Sequence, residues 1–317
     1  MKILVHHDGA LGDVVLSLPS LLSLRTEGGD LHFMGRPDIG RMLRDCGVVE
    51  EASDSGAGRY SSLYDGRAQG ELTSFFGRFD RATVFTVDAD GPAASAFRES
   101  LPDARIVRTM PPSGVRVSAA RFRLDQVSPG TPMPGSGLLP VPMPLQDLAL
   151  AMLSRWGWKG DCPLVMVHPG SGGKTKRWPL ERFLSVAWKI RDRGAFVVFF
   201  SGPAEEDDIL DQLERFSRSA DGFVHVSDAD LTALAALLGQ CGAYVGNDSG
   251  VSHLAAAVGA PTVALFGPTD PGVWGPVGDS VHVIAADRLE RIGVEQVTET
   301  LLEIVESGAD AEGPRAE

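Results

Sequence analysis

Residues 243–266 read AYVGNDSGVSHLAAAVGAPTVALF, and the order of their parts decides the fold. Ala243–Val245 is a short apolar run, Gly246–Gly250 a polar loop with glycine at both ends, Val251–Val258 a small apolar helical stretch, and Thr262–Phe266 a second β-prone run. Short apolar strands that alternate with helices predict a parallel sheet covered on both faces.

The same rhythm extends outward. Strands are predicted at Leu164–His168, Phe196–Phe200, Phe223–Val226 and Val281–Ile284. Helices are predicted near Leu180–Asp192, Glu205–Phe216, Leu231–Gly239 with Asp230 as N-cap, and Val294–Val305. A first series precedes it: strand Lys2–His6, a loop with Gly9 and Gly12, helix Asp13–Arg25, strand Leu31–Met34, helix Asp38–Asp45, strand Val48–Glu51, a polar loop over 53–67, helix Glu71–Phe79 and strand Ala82–Val87. Between the two series, eight of the 21 prolines fall in 109–144, so this stretch reads as loop or linker, followed by a helix at Leu145–Trp156. The expected organisation is an α/β chain of two doubly wound domains, 1–145 and 146–306, with a flexible tail at 307–317. No 20–50-residue repeat is evident.

A length of 317 residues, 43% hydrophobic and 22% charged, fits two ordinary domains and excludes disorder, collagen and coiled coil. The net charge of −13 argues against nucleic acid, whose phosphates demand cations, and against a polybasic membrane anchor. The opening apolar run is too short for a signal peptide, and no run approaches the ~18 residues of a membrane span. The expected location is the cytoplasm, with at most peripheral contact with the inner membrane. Cys46, Cys162 and Cys241 fit no zinc or redox spacing and read as free thiols. His6, His7 and His168 likewise lack ligand spacing. The triplets Asp88-Ala89-Asp90 and Asp228-Ala229-Asp230 suit a strand end and a helix cap better than a metal site.

Four loops carry candidate chemistry, each placed where a strand turns into a helix. Ligands bind at that carboxyl edge of parallel strands. Asp8-Gly9-Ala10-Leu11-Gly12-Asp13 fails the GxGxxG fingerprint. Asp13 fits two roles there, complement to a helix N-terminus or general base. His168-Pro169-Gly170-Ser171-Gly172-Gly173-Lys174-Thr175-Lys176 offers glycines for an anion nest beside cations, yet fails the P-loop spacing. In Gly246-Asn247-Asp248-Ser249-Gly250-Val251-Ser252-His253, backbone N–H groups at the helix start suit a phosphate, and Asp248 suits sugar hydroxyls; Asp248 or Ser249 also suits a cap. In Ser201-Gly202-Pro203-Ala204-Glu205, Glu205 suits ribose hydroxyls or a plain helix start.

Together these stretches resemble the heptosyltransferases of glycosyltransferase family 9. The resemblance is carried by MKILVHHDGALGDVVLSLPSLLSLR, VMVHPGSGGKTKRWP, FSGPAEEDD and, most specifically, YVGNDSGVSHLAAAVGAPTVALFGPTDPGVWGP, and is weakest over 53–145. It implies a GT-B fold, two Rossmann-like domains facing across a cleft. It implies inverting, metal-independent and cofactor-free transfer of a sugar, typically heptose from ADP-heptose, to a saccharide or glycolipid acceptor such as a lipopolysaccharide core. Asp13 then matches the general base. Gly12, Ser171, Gly172, Lys176, Glu205, Asp248, Ser249, Gly250 and His253 match substrate-binding positions, with Glu206 an alternative to Glu205. The acceptor would sit on the N-terminal half, where 14 of the 15 cations of residues 1–150 are arginine. Arg36, Arg41, Arg44, Arg59 and Arg67 are its candidate cluster, or else a solvated helix face. Three other functions share these features: a nucleotide-sugar epimerase or hydrolase, a non-catalytic nucleotide-sugar-binding protein and, failing on spacing, a P-loop NTPase.

Overall fold

Lys2–His7 (β1) lies at the centre of a five-stranded sheet in which every neighbouring pair is parallel. Ile3, Leu4 and Val5 are wholly buried, as a central strand covered on both faces requires. A computed structural model describes residues 1–63, 71–101, 103–135, 137–202 and 207–311. The chain divides into two units, Met1–Pro134 with Leu138–Pro140, and Gly135–Gly137 with Val141–Glu317.

In the first unit, α1 (Leu11–Val15) and α2 (Leu18–Thr26) lead from β1 to β2 (Asp30–Gly35), and α3 (Pro37–Asp45) leads to β3 (Glu51–Asp54). α4 (Glu71–Phe76), β4 (Arg81–Thr86), α5 (Pro92–Ser100), β5 (Ala104–Arg108) and α6 (Ala119–Val127) complete it. The strand order is β3-β2-β1-β4-β5. The chain leaves β1 toward β2 and later returns to β4 on the other side, so the topological switch point falls between β1 and β4. Leu4, Met34, Phe75, Phe76 and Phe97 pack one side of the core.

In the second unit, α7 (Met143–Arg155) packs on a later helix, and β6 (Leu164–His168) starts a six-stranded parallel sheet. α8 (Leu180–Arg191), β7 (Phe196–Ser201), α9 (Asp207–Ser217), β8 (Phe223–Ser227), α10 (Leu231–Leu238), β9 (Ala243–Asn247), α11 (Gly250–Ala257), β10 (Thr262–Phe266), α12 (Pro271–Trp274), β11 (Val281–Ala285) and α13 (Val294–Ala311) follow. The order is β11-β10-β9-β6-β7-β8, so this switch point falls between β6 and β9. Trp178, Phe183, Val197, Val245 and Leu301 lie in its core.

The structure corrects several expectations. The helix expected at Asp13–Arg25 is two helices, because Pro19 has no N–H to continue the ladder. The strand expected at Val48–Glu51 starts at Glu51. Val48 and Val49 are buried in the turn after α3, both bonded to the Leu43 carbonyl. The expected loop 53–67 contains a 3-10 turn at Gly58–Leu63. The expected loop 109–144 contains α6, where the stretch 113–128 is free of proline and Ser118 caps the start by accepting from Arg121 N at 3.2 Å. α7 begins inside that segment, with Pro144 tolerated in its first turn. The tail expected from Ser307 continues α13 through Ala311, although Gly308 and Asp310 are weak helix formers. α5 and β5 were not legible: β5 reads ARIVR, a half-charged edge strand.

Candidate functional site: two loop clusters at the sheet switch points

The first cluster follows from Pro19. The break it causes leaves the Asp13 carbonyl without a helical partner, since Leu16 N bonds to Gly12 and Ser17 N to Val14. Side chains take its place. Ser17 Oγ donates to the Asp13 carbonyl at 3.0 Å, and Arg123 Nη1 donates to the same oxygen. Arg123 Nη2 reaches Asp13 Oδ1 at 3.1 Å, Nη1 reaches Ser17 Oγ at 3.1 Å, and Nε reaches the Thr109 carbonyl at 2.9 Å. The Arg123 side chain is 0% exposed, whereas that of Asp13 is 41% exposed. The carboxylate therefore faces solvent on a buried support.

His7 closes this network. Gly9 N donates to Nδ1 at 3.0 Å, so the neutral ring carries its proton on Nε2 and donates to Ser17 Oγ at 3.2 Å. Burial first, and the Arg123 charge second, push its pKa down to about 3. The ring stacks on Phe85. Gly9 is required by close approach: a Cβ there would lie 2.6 Å from His7 Cε1 and 2.8 Å from Asp13 Cβ. Asp8 is held by His6 Nε2 at 3.0 Å and by Ser55 Oγ at 2.5 Å.

The second cluster joins the loops after β6 and β9. Ser171 Oγ donates to the Asp248 carbonyl at 2.8 Å, and Lys176 Nζ lies 2.7 Å from Asp248 Oδ2. Asn247, wholly buried, donates to the Pro169 carbonyl at 2.7 Å and accepts from Trp178 N at 2.9 Å, stitching one loop to the other. Trp178 is buried, edge-on to Phe183, and donates from Nε1 to the Ile292 carbonyl at 3.1 Å. Ser249 caps α11 by accepting from Ser252 N. The N–H groups of Gly250 and Val251 precede the first bond of that helix, His253 N to the Ser249 carbonyl, and make its positive end. His168 is buried, its pKa pushed down to about 4 by burial, with Nδ1 3.4 Å from Ser249 Oγ.

The expected anion nest is not formed. None of Gly170, Gly172 and Gly173 has a positive φ, so the alternation of backbone handedness that makes a nest is absent. A Cβ on Gly172 would meet nothing within 4 Å. His253 lies buried in α11. Glu205 and Glu206 lie outside the described residues.

The arginine cluster is largely answered by its own helix: Arg36 pairs with Asp38 at 2.9 Å and Arg44 with Asp45 at 3.0 Å, while Arg41 is exposed. Arg67 and the Arg59 side chain lie outside the described residues. Asp230 caps α10 through Ala233 N, and Asp90 pairs with Arg108. Among the described residues, no group of three or more His, Cys, Asp or Glu side chains is placed to hold a metal ion. No helix among them is long and apolar enough to cross a membrane. Cys46 and Cys241 are buried free thiols, raised by burial to about 11 and about 12.

Residues 145–301 match the profile of glycosyltransferase family 9 (heptosyltransferase). The chain carries a glycosyltransferase family 9 domain. It contains the whole second cluster, whereas Gly12 and Asp13 fall outside the match. The chain is 30% identical over 145 residues to lipooligosaccharide heptosyltransferase 2 of Haemophilus influenzae, which covers 43% of this chain and 40% of that protein. The matched stretch thus spans about two fifths of the curated relative. Solved structures match along nearly the whole length. That of ADP-heptose lps heptosyltransferase II from E. coli has a TM-score of 0.74 at 21% identity, covering 97% of this chain and 99% of that one. That of a family 9 glycosyl transferase from Veillonella parvula has a TM-score of 0.78 at 22% identity, covering 96% and 97%. These likenesses show the two-sheet GT-B fold.

Sequence reasoning missed four residues of the two clusters: Arg123, Ser17, Asn247 and Trp178. Arg123 stood in a segment read as linker. Asn247 carried a usable signal, an amide flanked by glycine and aspartate at a strand end, where loops need tying.

Proposed function

We propose that the protein is an inverting, metal-independent glycosyltransferase that moves heptose from ADP-heptose to a saccharide acceptor such as a lipopolysaccharide core. The observation that carries this reading is the meeting of Lys176, Ser171 and Asp248 at the β6–β9 switch point, inside the family 9 domain. A lysine, a helix N-terminus and a carboxylate in one place suit a diphosphate joined to a sugar. The choice of heptose and adenine rests on the names of the relatives.

In this reading, Asp13 takes the proton of an acceptor hydroxyl. The oxygen attacks C1 of the donor sugar, a new C–O bond forms, and the bond from C1 to the diphosphate breaks on the opposite side, which inverts the centre. ADP departs with the electron pair. Lys176 and the N–H groups of Gly250 and Val251 offset the charge that builds on the leaving group. No cofactor enters the reaction, and the partners are the donor and the acceptor alone.

A thermal-shift series with ADP, GDP, UDP and TDP tests the donor half, since a ligand stabilises in proportion to the logarithm of its concentration over its dissociation constant. The expected result is a shift with ADP that exceeds the others. No shift with ADP overturns the donor assignment. Acceptor-independent change of ADP-heptose, followed by NMR, would instead establish an epimerase or hydrolase.

A further inference from the structure

Among the described residues, the most deeply buried charge of the first unit belongs to Arg123, and its partners there lie at the carboxyl edge of the first sheet. Its Nε meets the Thr109 carbonyl just beyond β5, Nη1 meets Ser17 Oγ and the Asp13 carbonyl, and Nη2 meets Asp13 Oδ1. The guanidinium is planar, so two anchored nitrogens fix where the third points. Thr109 and Ser17 are themselves buried, and Ser17 is held from the far side by His7.

Taking such a cation out of water is costly, and an apolar side chain of similar volume commonly stabilises as well or better. Packing alone therefore gives no reason for an arginine here. What only the guanidinium supplies is a rigid fork that grips the backbone and one carboxylate oxygen of the same residue. With Oδ1 held, the rotamer of Asp13 is set, and Oδ2 has no side-chain partner among the described residues. Freely rotating, the carboxylate would exchange its two oxygens and spread over several orientations.

We propose that Arg123 is a positioning residue of the transfer reaction: it fixes Asp13 through Oδ1 and the main-chain carbonyl and leaves Oδ2 as the oxygen that takes the proton. The inference rests on the reading of Asp13 as general base. Arg123 stays protonated throughout. The proton leaves the acceptor hydroxyl for Asp13 Oδ2 and passes from there to solvent. Arg123 touches neither donor nor acceptor, so its effect on rate runs entirely through Asp13.

The test is a double-mutant cycle. Arg123→Lys keeps the charge and loses the fork. Asp13→Asn loses the base. Rates are measured with ADP-heptose and a heptose-free lipopolysaccharide core acceptor, and folding is checked by circular dichroism and thermal unfolding. Misplacing a reacting group by about 1 Å costs up to about a hundredfold. The expected result is that Arg123→Lys lowers kcat about ten- to a hundredfold while the donor KM stays within about twofold. In the Asp13→Asn background the same change alters the residual rate by less than about twofold. A fall of equal size in both backgrounds, or no fall in the first, overturns the proposal alone. Full turnover by Asp13→Asn, or no turnover by the unsubstituted protein, overturns the functional reading and the proposal with it. Should Arg123→Lys not fold, Ser17→Ala removes one anchor of the fork without touching the arginine. It is expected to lower kcat about three- to tenfold, again only where Asp13 is present, and a fall independent of Asp13 overturns the proposal in the same way.

Discussion

Lys176 Nζ and Asp248 Oδ2 lie 2.7 Å apart, the lysine 39% and the aspartate 8% exposed. The aspartate is fixed from behind, by Ser171 on its carbonyl and by the paired loops of Asn247. The lysine is thus the more exposed partner of a buried anion that lies two residues ahead of α11. Under the proposed function, this lysine is the cation that meets the donor diphosphate.

Lys176→Met removes that cation without emptying the space. A hydrogen bond to a charged group is worth about 1.5–3 kcal/mol, so the dissociation constant for ADP is expected to rise about ten- to 150-fold by calorimetry. An unchanged constant would remove Lys176 from the diphosphate site.

Asn247 and Trp178 hold the two loops together. Asn247→Ala leaves the Trp178 N–H and the Pro169 carbonyl without their partner, at about 1–3 kcal/mol for each buried group. Trp178→Ala empties a core position at about 3–5 kcal/mol. Urea unfolding is expected to show both losses, and Asn247→Ala to weaken ADP binding as well. A fully stable Asn247→Ala would contradict the stitching role.

Gly9→Ala separates the two clusters. Its Cβ would press on His7 and Asp13, both in the first unit. The expected outcome is a loss of kcat of at least tenfold, by misplacement of Asp13, with ADP affinity unchanged. Loss of ADP affinity together with rate would show that the damage is general.

Acid should destabilise the fold through two histidines. Burial lowers His7 to about 3 and His168 to about 4, against 6.5 in the unfolded chain. Between those values the unfolded chain binds protons that the fold refuses. The stability is fully present above pH 6.5, falls as the pH drops toward 4 for His168 and toward 3 for His7, and is constant below. Each group contributes up to about 1.4 kcal/mol per pH unit inside its window. Urea midpoints at about pH 7 and about pH 5 check this, and equal midpoints would contradict it.

Much of this was legible in advance because parallel strands announce themselves: LVMVH, FVVFF and TVALF are apolar on both faces and bounded by turns. Asp13, Lys176 and Asp248 stood out as candidates because each lies in the stretch that leads from a parallel strand into the next helix, where ligands bind in such folds. What stayed hidden depended on contacts distant in sequence. Arg123 meets Asp13 across 110 positions, and no local pattern in ARFRLDQV marks that arginine as buried. Proline density hid α6, since the prolines flank the helix rather than interrupt it. The nest expected from three glycines failed because glycine permits a left-handed backbone without imposing one.

In the proposed function, Asp13 is the base of a sugar transfer from a nucleotide donor. The most direct measurement is turnover of ADP-heptose onto a heptose-free lipopolysaccharide core by the unsubstituted protein and by Asp13→Ala, alongside ADP affinity for both. The expected result is product with the first, a rate at least about a hundredfold lower with the second, and equal ADP affinity. Full turnover by Asp13→Ala, or none by the unsubstituted protein, would contradict it.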